Sequence, residues 1–113
     1  LGVQTPIGVG VGPDQKRSRE TVVGMSQSGL GLPDRDYYLR EDPKLAATRE
    51  AYRAYVGRLL TLARQPDPAG AAGRIVALET EIARRHWDRA RNRDRNATYN
   101  KLPVAELARL APS

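Results

Sequence analysis

Cysteine and phenylalanine are absent from the 113 residues, and histidine, tryptophan and methionine occur once each. The lack of cysteine removes disulfides, thiolate chemistry and cysteine-type zinc sites together, and is compatible with cytoplasm or periplasm. A single imidazole, His86, leaves any zinc site built from this chain without a second nitrogen or sulfur ligand. Lysine is scarce as well, at positions 16, 44 and 101 only, so the formal net charge of +6 rests almost wholly on arginine. Acids interleave with those arginines, and with the high alanine content the pattern looks like a GC-rich bacterial coding background. A basic excess of this kind supports only unspecific phosphate affinity. No run approaches a membrane span, and no charged-then-apolar signal segment opens the chain. In a piece of a longer protein, those two absences say nothing about where the whole resides. The start at Leu1 and the stop just after Ala111-Pro112 are what a piece would show.

What is present is a thin set of core formers: Trp87, five tyrosines and a modest number of Leu, Ile and Val. That is near the lower limit for one small domain. Residues 1–28 read as a β-hairpin. In "VQTPIGVGVG", Ile7, Val9 and Val11 fall on one face of an extended strand and Gly8, Gly10 and Gly12 on the other. "PDQKRSRE" supplies a polar connection, and "TVVGM" is a second β-prone run. A face of glycines predicts that a helix or another stretch of backbone lies close against it.

Residues 29–41, containing "GLGLPDRDYYL", read as an extended corner. Asp42 as N-cap with Pro43 at the first helical position starts a helix over 42–65, whose apolar stripe is Leu45, Tyr52, Tyr55, Val56, Leu59, Leu60 and Ala63. Asp67-Pro68 repeats the signal for a helix over 67–88, with Ala72, Ile75, Leu78, Ile82 and Ala83 on one face. Two amphipathic helices joined so closely predict an antiparallel pair. A loop follows over 89–102, then a short closing helix over 103–111 carrying Val104, Leu107 and Leu110. The fold class is therefore mainly α with an N-terminal β-hairpin.

Several stretches invite chemistry and admit a plainer reading. "GVGVGP" places Pro13 where a dinucleotide loop needs its third glycine, and a turn follows it instead of a helix. His86, beside Trp87 near a helix end, suits packing and capping. "RRHWDRARNRDRN", residues 84–96, could meet phosphates and bases through arginine forks and the Trp87 ring. Alternatively it is a solvated helix end with a loop braced by Asp88 and Asp94 against neighbouring arginines. Asp34 with Asp36 would point the same way on an extended strand, and Glu79 with Glu81 form a second close pair, but no nucleophile, histidine or metal cluster gathers near either. Asn96-Ala97-Thr98 fits a glycosylation sequon without other support.

Taken in order, these stretches resemble one family, the neprilysin-like zinc metallopeptidases. The corner is similar to the family's "LGLP-x-RDYY" signature at Gly31, Leu32, Pro33, Arg35, Asp36, Tyr37 and Tyr38. "IVALETEIARRHW" resembles its "ALE-x-x-IA" helix, including Leu78 and Glu79, and "RDRNATYNKLPVAELARLAP" its "RD…YNK" region at Arg93, Asp94, Tyr99 and Asn100. The resemblance covers nearly the whole chain. It implies a zinc endopeptidase several times longer, whose metal is held by a His-Glu-x-x-His helix and a later glutamate, none of which this chain contains. It further implies that residues 1–113 belong to the amino-terminal, non-catalytic region enclosing the substrate chamber. By that reading the chain has no catalytic, cofactor or metal residue of its own, is inactive and zinc-free alone, and is marginally stable or self-associating when isolated. Its partners are the rest of the parent enzyme and that enzyme's peptide substrates, not nucleic acid. Bacterial members of the family are often exported to the periplasm or medium. The alternative is a small basic helical module that uses Arg91, Arg93 and Arg95 on nucleic acid or an acidic protein.

Overall fold

The structure is a computed structural model and describes residues 5–112; the first four residues of the expected hairpin segment lie outside them. Strands β1 (Ile7–Pro13) and β2 (Thr21–Gln27) pair antiparallel, with Val9 opposite Met25, Gly10 opposite Gly24 and Val11 opposite Val23. The connection is held by Asp14, whose Oδ1 accepts the N–H groups of Lys16 at 2.7 Å and Arg17 at 3.0 Å, an aspartate turn of the kind that tightens polar loops. Gly29, at φ +88°, turns the chain out of β2 against Pro6, where a Cβ would crowd the backbone.

Among the described residues, the expected neighbour on the glycine face is absent. A side chain added at Gly10 or Gly12 would meet nothing within 4 Å, and Gly8 is close only to Ser26 and Ser28 beside it. Within residues 5–112 the hairpin joins the helices at its two ends and its glycine face is open.

The corner also differs from expectation. Within 29–41, residues Asp36–Leu39 form one helical turn, α1. Asp34 starts it by accepting the Asp36 N–H on its side chain at 2.8 Å and the Tyr37 N–H on its carbonyl at 3.3 Å. Coiling separates the two carboxylates that an extended strand would align: Asp34 pairs with Arg89 at 2.6 Å, and Asp36 with Arg40 at 3.8 Å.

Helix α2 (Pro43–Leu62) begins as the sequence predicts, with Asp42 accepting the Lys44 and Leu45 N–H groups. It ends three residues early because Arg64 enters the left-handed region at φ 55°, and the bonds Arg64 N–H to Thr61 and Gln65 N–H to Leu60 close a Schellman motif. Helix α3 (Pro68–Arg85) starts on Asp67, which accepts the Gly70 N–H. His86 ends it, its N–H bonding the carbonyls of Ile82 and Ala83. The pair is antiparallel: Tyr52 meets Glu79, and further along α2 but further back on α3, Gly57 meets Ala72.

The buried apolar residues are Tyr38, Val56, Ala72 and Ala83, so the core is narrow and built largely from small side chains. Both predicted stripes are only partly covered. Tyr55 and Leu59 remain half exposed, and Leu78, expected on the buried face, is 63% exposed. Within the predicted loop 89–102, Asp88 caps a helical turn, α4 (Arg89–Arg93), through the Arg91 N–H. Asp94 accepts the N–H groups of Asn96 and Ala97. Both aspartates thus bond backbone, not the neighbouring arginines that their spacing offers. Helix α5 (Val104–Leu110) follows Pro103 but packs on no other element among the described residues, leaving Val104 and Leu110 open instead of closing over the pair.

Candidate functional site

The best-built cluster of polar side chains joins the corner to both long helices. Tyr38 is 4% exposed because α1 turns it inward between α2 and α3. Its hydroxyl donates to Glu79 Oε2 at 2.5 Å and accepts the Leu32 N–H at 2.9 Å. The other Glu79 oxygen accepts from the Tyr52 hydroxyl at 2.9 Å. One carboxylate on α3 therefore holds a phenol from the corner and a phenol from α2. Burial and the adjoining carboxylate push both phenols up, Tyr52 to about 12 and Tyr38 further, so both stay protonated donors. Gly31 lies against the Tyr52 ring, where a Cβ would overlap the hydroxyl. Arg49, also on α2, donates to the carbonyls of Tyr37 at 3.1 Å and Tyr38 at 2.9 Å, satisfying the end of α1.

Behind the corner lies an open cleft of about 290 Å³, lined by Gln27, Ser28, Pro33, Arg35, His86 and Trp87 among others. Here too the polar groups mostly face protein. Arg35 Nη1 donates to the His86 carbonyl at 2.9 Å, the His86 Nε2 sits 3.1 Å from the Ser28 carbonyl, and the Gln27 amide exchanges two hydrogen bonds with the Trp87 backbone. The face of Trp87 carries Arg91, 3.6 Å from the ring centroid.

A third cluster ties the hairpin loop to the segment after α4. The Asp14 carboxylate, almost fully buried, meets Lys101 Nζ at 2.8 Å and the Tyr99 hydroxyl at 3.1–3.2 Å, while Lys101 also reaches Glu20 at 2.5 Å. Lys101, then the Lys16 N–H, hold the Asp14 carboxyl well below the usual range, and Lys101 is raised in turn.

The signature residues divide accordingly. Gly31, Leu32, Tyr38 and Glu79 meet in the first cluster, Tyr37 joins it through its carbonyl, and Tyr99 belongs to the third. Pro33, Arg35 and the half-buried Asp36 line the cleft, Asn100 bonds the Ala97 carbonyl, and Leu78, Arg93 and Asp94 lie toward solvent. Sequence reasoning assigns no site role to Arg49, Asp14 or Lys101, and places Tyr52 only on an apolar stripe. For Arg49 and Glu79 a signal exists, a charged residue within an apolar stripe at helical spacing. Asp14 and Lys101 are 87 positions apart, and nothing local links them.

These groups do not fit a zinc ion. Both Glu79 oxygens face phenols, the His86 Nε2 faces a carbonyl, and among the described residues no three of His, Cys, Asp or Glu gather where a metal could be held.

All of residues 1–113 match the amino-terminal profile of Peptidase family M13. Endothelin-converting enzyme 1 of Bos taurus is 36% identical over 105 residues, 91% of this chain and 14% of that enzyme. Endothelin-converting enzyme-like 1 of Mus musculus is 32% identical over 102 residues, 88% of this chain and 13% of that protein. The crystal structure of the Mycobacterium tuberculosis zinc metalloprotease Zmp1 with inhibitor superposes with a TM-score of 0.86 at 41% identity, over 96% of this chain and 17% of that one. The chain belongs to peptidase family M13 and corresponds to its amino-terminal region, as the neprilysin-like signature implied. It spans about a seventh of the length of the endothelin-converting enzymes it matches.

Proposed function

We propose that this chain is the non-catalytic, chamber-enclosing part of a bacterial zinc-dependent endopeptidase or oligopeptidase, limiting which peptides reach a catalytic centre carried elsewhere in the polypeptide. The observation that carries this reading is the Tyr38–Glu79–Tyr52 cluster. Four of the signature residues, Gly31, Leu32, Tyr38 and Glu79, meet there with Tyr52, and the polar groups of the cluster are engaged with one another and with backbone, which stiffens a wall and leaves none of them free to attack or activate a substrate. That the similar M. tuberculosis protein is a zinc metalloprotease supports the parent's activity. The nucleic-acid alternative gains nothing, because Arg91 covers the Trp87 face that base stacking would use and Arg89 is paired with Asp34.

The test is the gene and its product. Reading downstream of Ser113 should reveal a His-Glu-x-x-His segment, and the purified full-length enzyme should cleave short peptides in a zinc-dependent way while sparing folded proteins that carry the same cleavable sequence. Equal cleavage of both would overturn the enclosing role. A reading frame that ends without the motif would overturn the parent activity.

A further inference from the structure

The hairpin carries an apolar face that nothing in residues 5–112 covers. Strand pairing sets Val9 beside Met25 and Val11 beside Val23, with Ile7 next along, and alternation puts all five side chains on one side. Their exposures are 50% for Ile7, 68% for Val9, 75% for Val11, 66% for Val23 and 48% for Met25. The opposite side is mostly glycine and serine, and neither strand packs on a helix. A two-stranded hairpin alone is marginal in water, yet this one is tied down only at its ends, through Asp14 to Tyr99 and Lys101 and through Gln27 to Trp87.

The size of the face selects its occupant. Five side chains half to three-quarters open leave on the order of 500 Å² of apolar surface, at the top of the range for a soluble monomer. A stable complex with a second copy needs roughly 800 Å² from each partner, more than this face supplies. A segment of the same polypeptide needs less, because tethering spares it the loss of free translation and rotation on docking. Such segments are available in the relatives: the hairpin-containing fold matches Zmp1 at a TM-score of 0.86 while covering 17% of that chain.

We propose that the Ile7–Val9–Val11–Val23–Met25 face is an intramolecular seat, occupied by an uncharged apolar surface of the same polypeptide that lies outside residues 1–113. The proposal rests on the M13 parent reading, since it needs that longer chain. Four aliphatic or thioether side chains at its centre offer no hydrogen-bond partner, so a charged or strongly polar occupant is excluded there.

Met25 is the only methionine in the segment, so the unsubstituted full-length protein reports on the face directly. Peroxide oxidation, followed by peptide mass spectrometry, should convert Met25 to its sulfoxide about tenfold more slowly in the native protein than in urea. Val11→Cys in the same protein should label with a small maleimide about tenfold more slowly than Ser18→Cys in the exposed connection. Native rates equal to the urea rate, or to that at Ser18→Cys, overturn the proposal. Protection that disappears on dilution to the monomer also overturns it, in favour of a second copy. Loss of zinc-dependent peptide cleavage as a property of the full-length protein would instead refute the parent reading, whatever the labelling rates.

Discussion

Replacing Tyr38 by Phe removes one oxygen atom and two hydrogen bonds while keeping the ring in place. The lost bond to Glu79 is charge-assisted and contributes about 1.5–3 kcal/mol, and the Leu32 N–H left without its acceptor adds about 1 kcal/mol. The expected total is about 2–4 kcal/mol, a large share of the stability of a small domain. Tyr52→Phe is the control within the same cluster. It gives up a single charge-assisted bond to the same carboxylate and strands no backbone donor, so a cost about 1 kcal/mol smaller than that of Tyr38→Phe is expected. Glu79→Gln presents one acceptor and one donor where two acceptors are needed. Because the Tyr38 hydroxyl already accepts from Leu32, this variant should cost about as much as Tyr38→Phe. Urea unfolding followed by the emission of Trp87, at concentrations where the chain is monomeric, reads these differences as midpoint shifts at constant slope. If Tyr38→Phe costs no more than Tyr52→Phe, or less than about 0.5 kcal/mol, the cluster is not what binds the corner to the helices.

Three further outcomes follow from the same geometry. Gly31→Ala should destabilise by about 1–3 kcal/mol, because its methyl group displaces Tyr52 from Glu79, whereas Gly10→Ala, facing open space, should stay within about 0.5 kcal/mol in the same urea assay. With its folded-state value raised above the ordinary tyrosine value of about 10, Tyr52 contributes stability that is complete below pH 10 and is lost between about pH 10 and 12; urea midpoints should fall over that window and fall less in Tyr52→Phe. Asp14 has the opposite sign: its depressed carboxyl contributes stability present above about pH 4 and lost as the pH drops below it, so Asp14→Asn should be less stable at neutral pH with a flatter acid limb, and an unchanged limb would show that the tie to Lys101 is not felt.

Punctuation of the two long helices was legible because it is local. Asp42-Pro43 and Asp67-Pro68 place a side-chain acceptor and a residue without an N–H where a helix start needs them, and no distant contact alters that. The single turn Asp36–Leu39 was not legible. Its four residues have too few internal bonds to signal a helix, and it exists because Asp34 begins it, Arg49 satisfies its end and Tyr38 is drawn into the helical pair. Helical spacing overestimated the core for a related reason: it assigned Tyr55, Leu59 and Leu78 to buried faces, but two helices cover only a narrow strip of each other, and these residues lie at its margin.

The sequence by itself determined the order of elements, the helix starts, the antiparallel pairing and, through the spacing of "GLGLPDRDYYL" and the later motifs, the family, since all of these follow from neighbours within a few positions or from motif order along the chain. Only the tertiary structure decided that Glu79 joins two phenols 27 and 41 positions away, that Asp14 closes on Lys101, and that nothing in residues 5–112 covers the valine face of the hairpin. Those outcomes depend on which segments meet in space, and a carboxylate or an apolar face carries no mark in the chain of what it will meet.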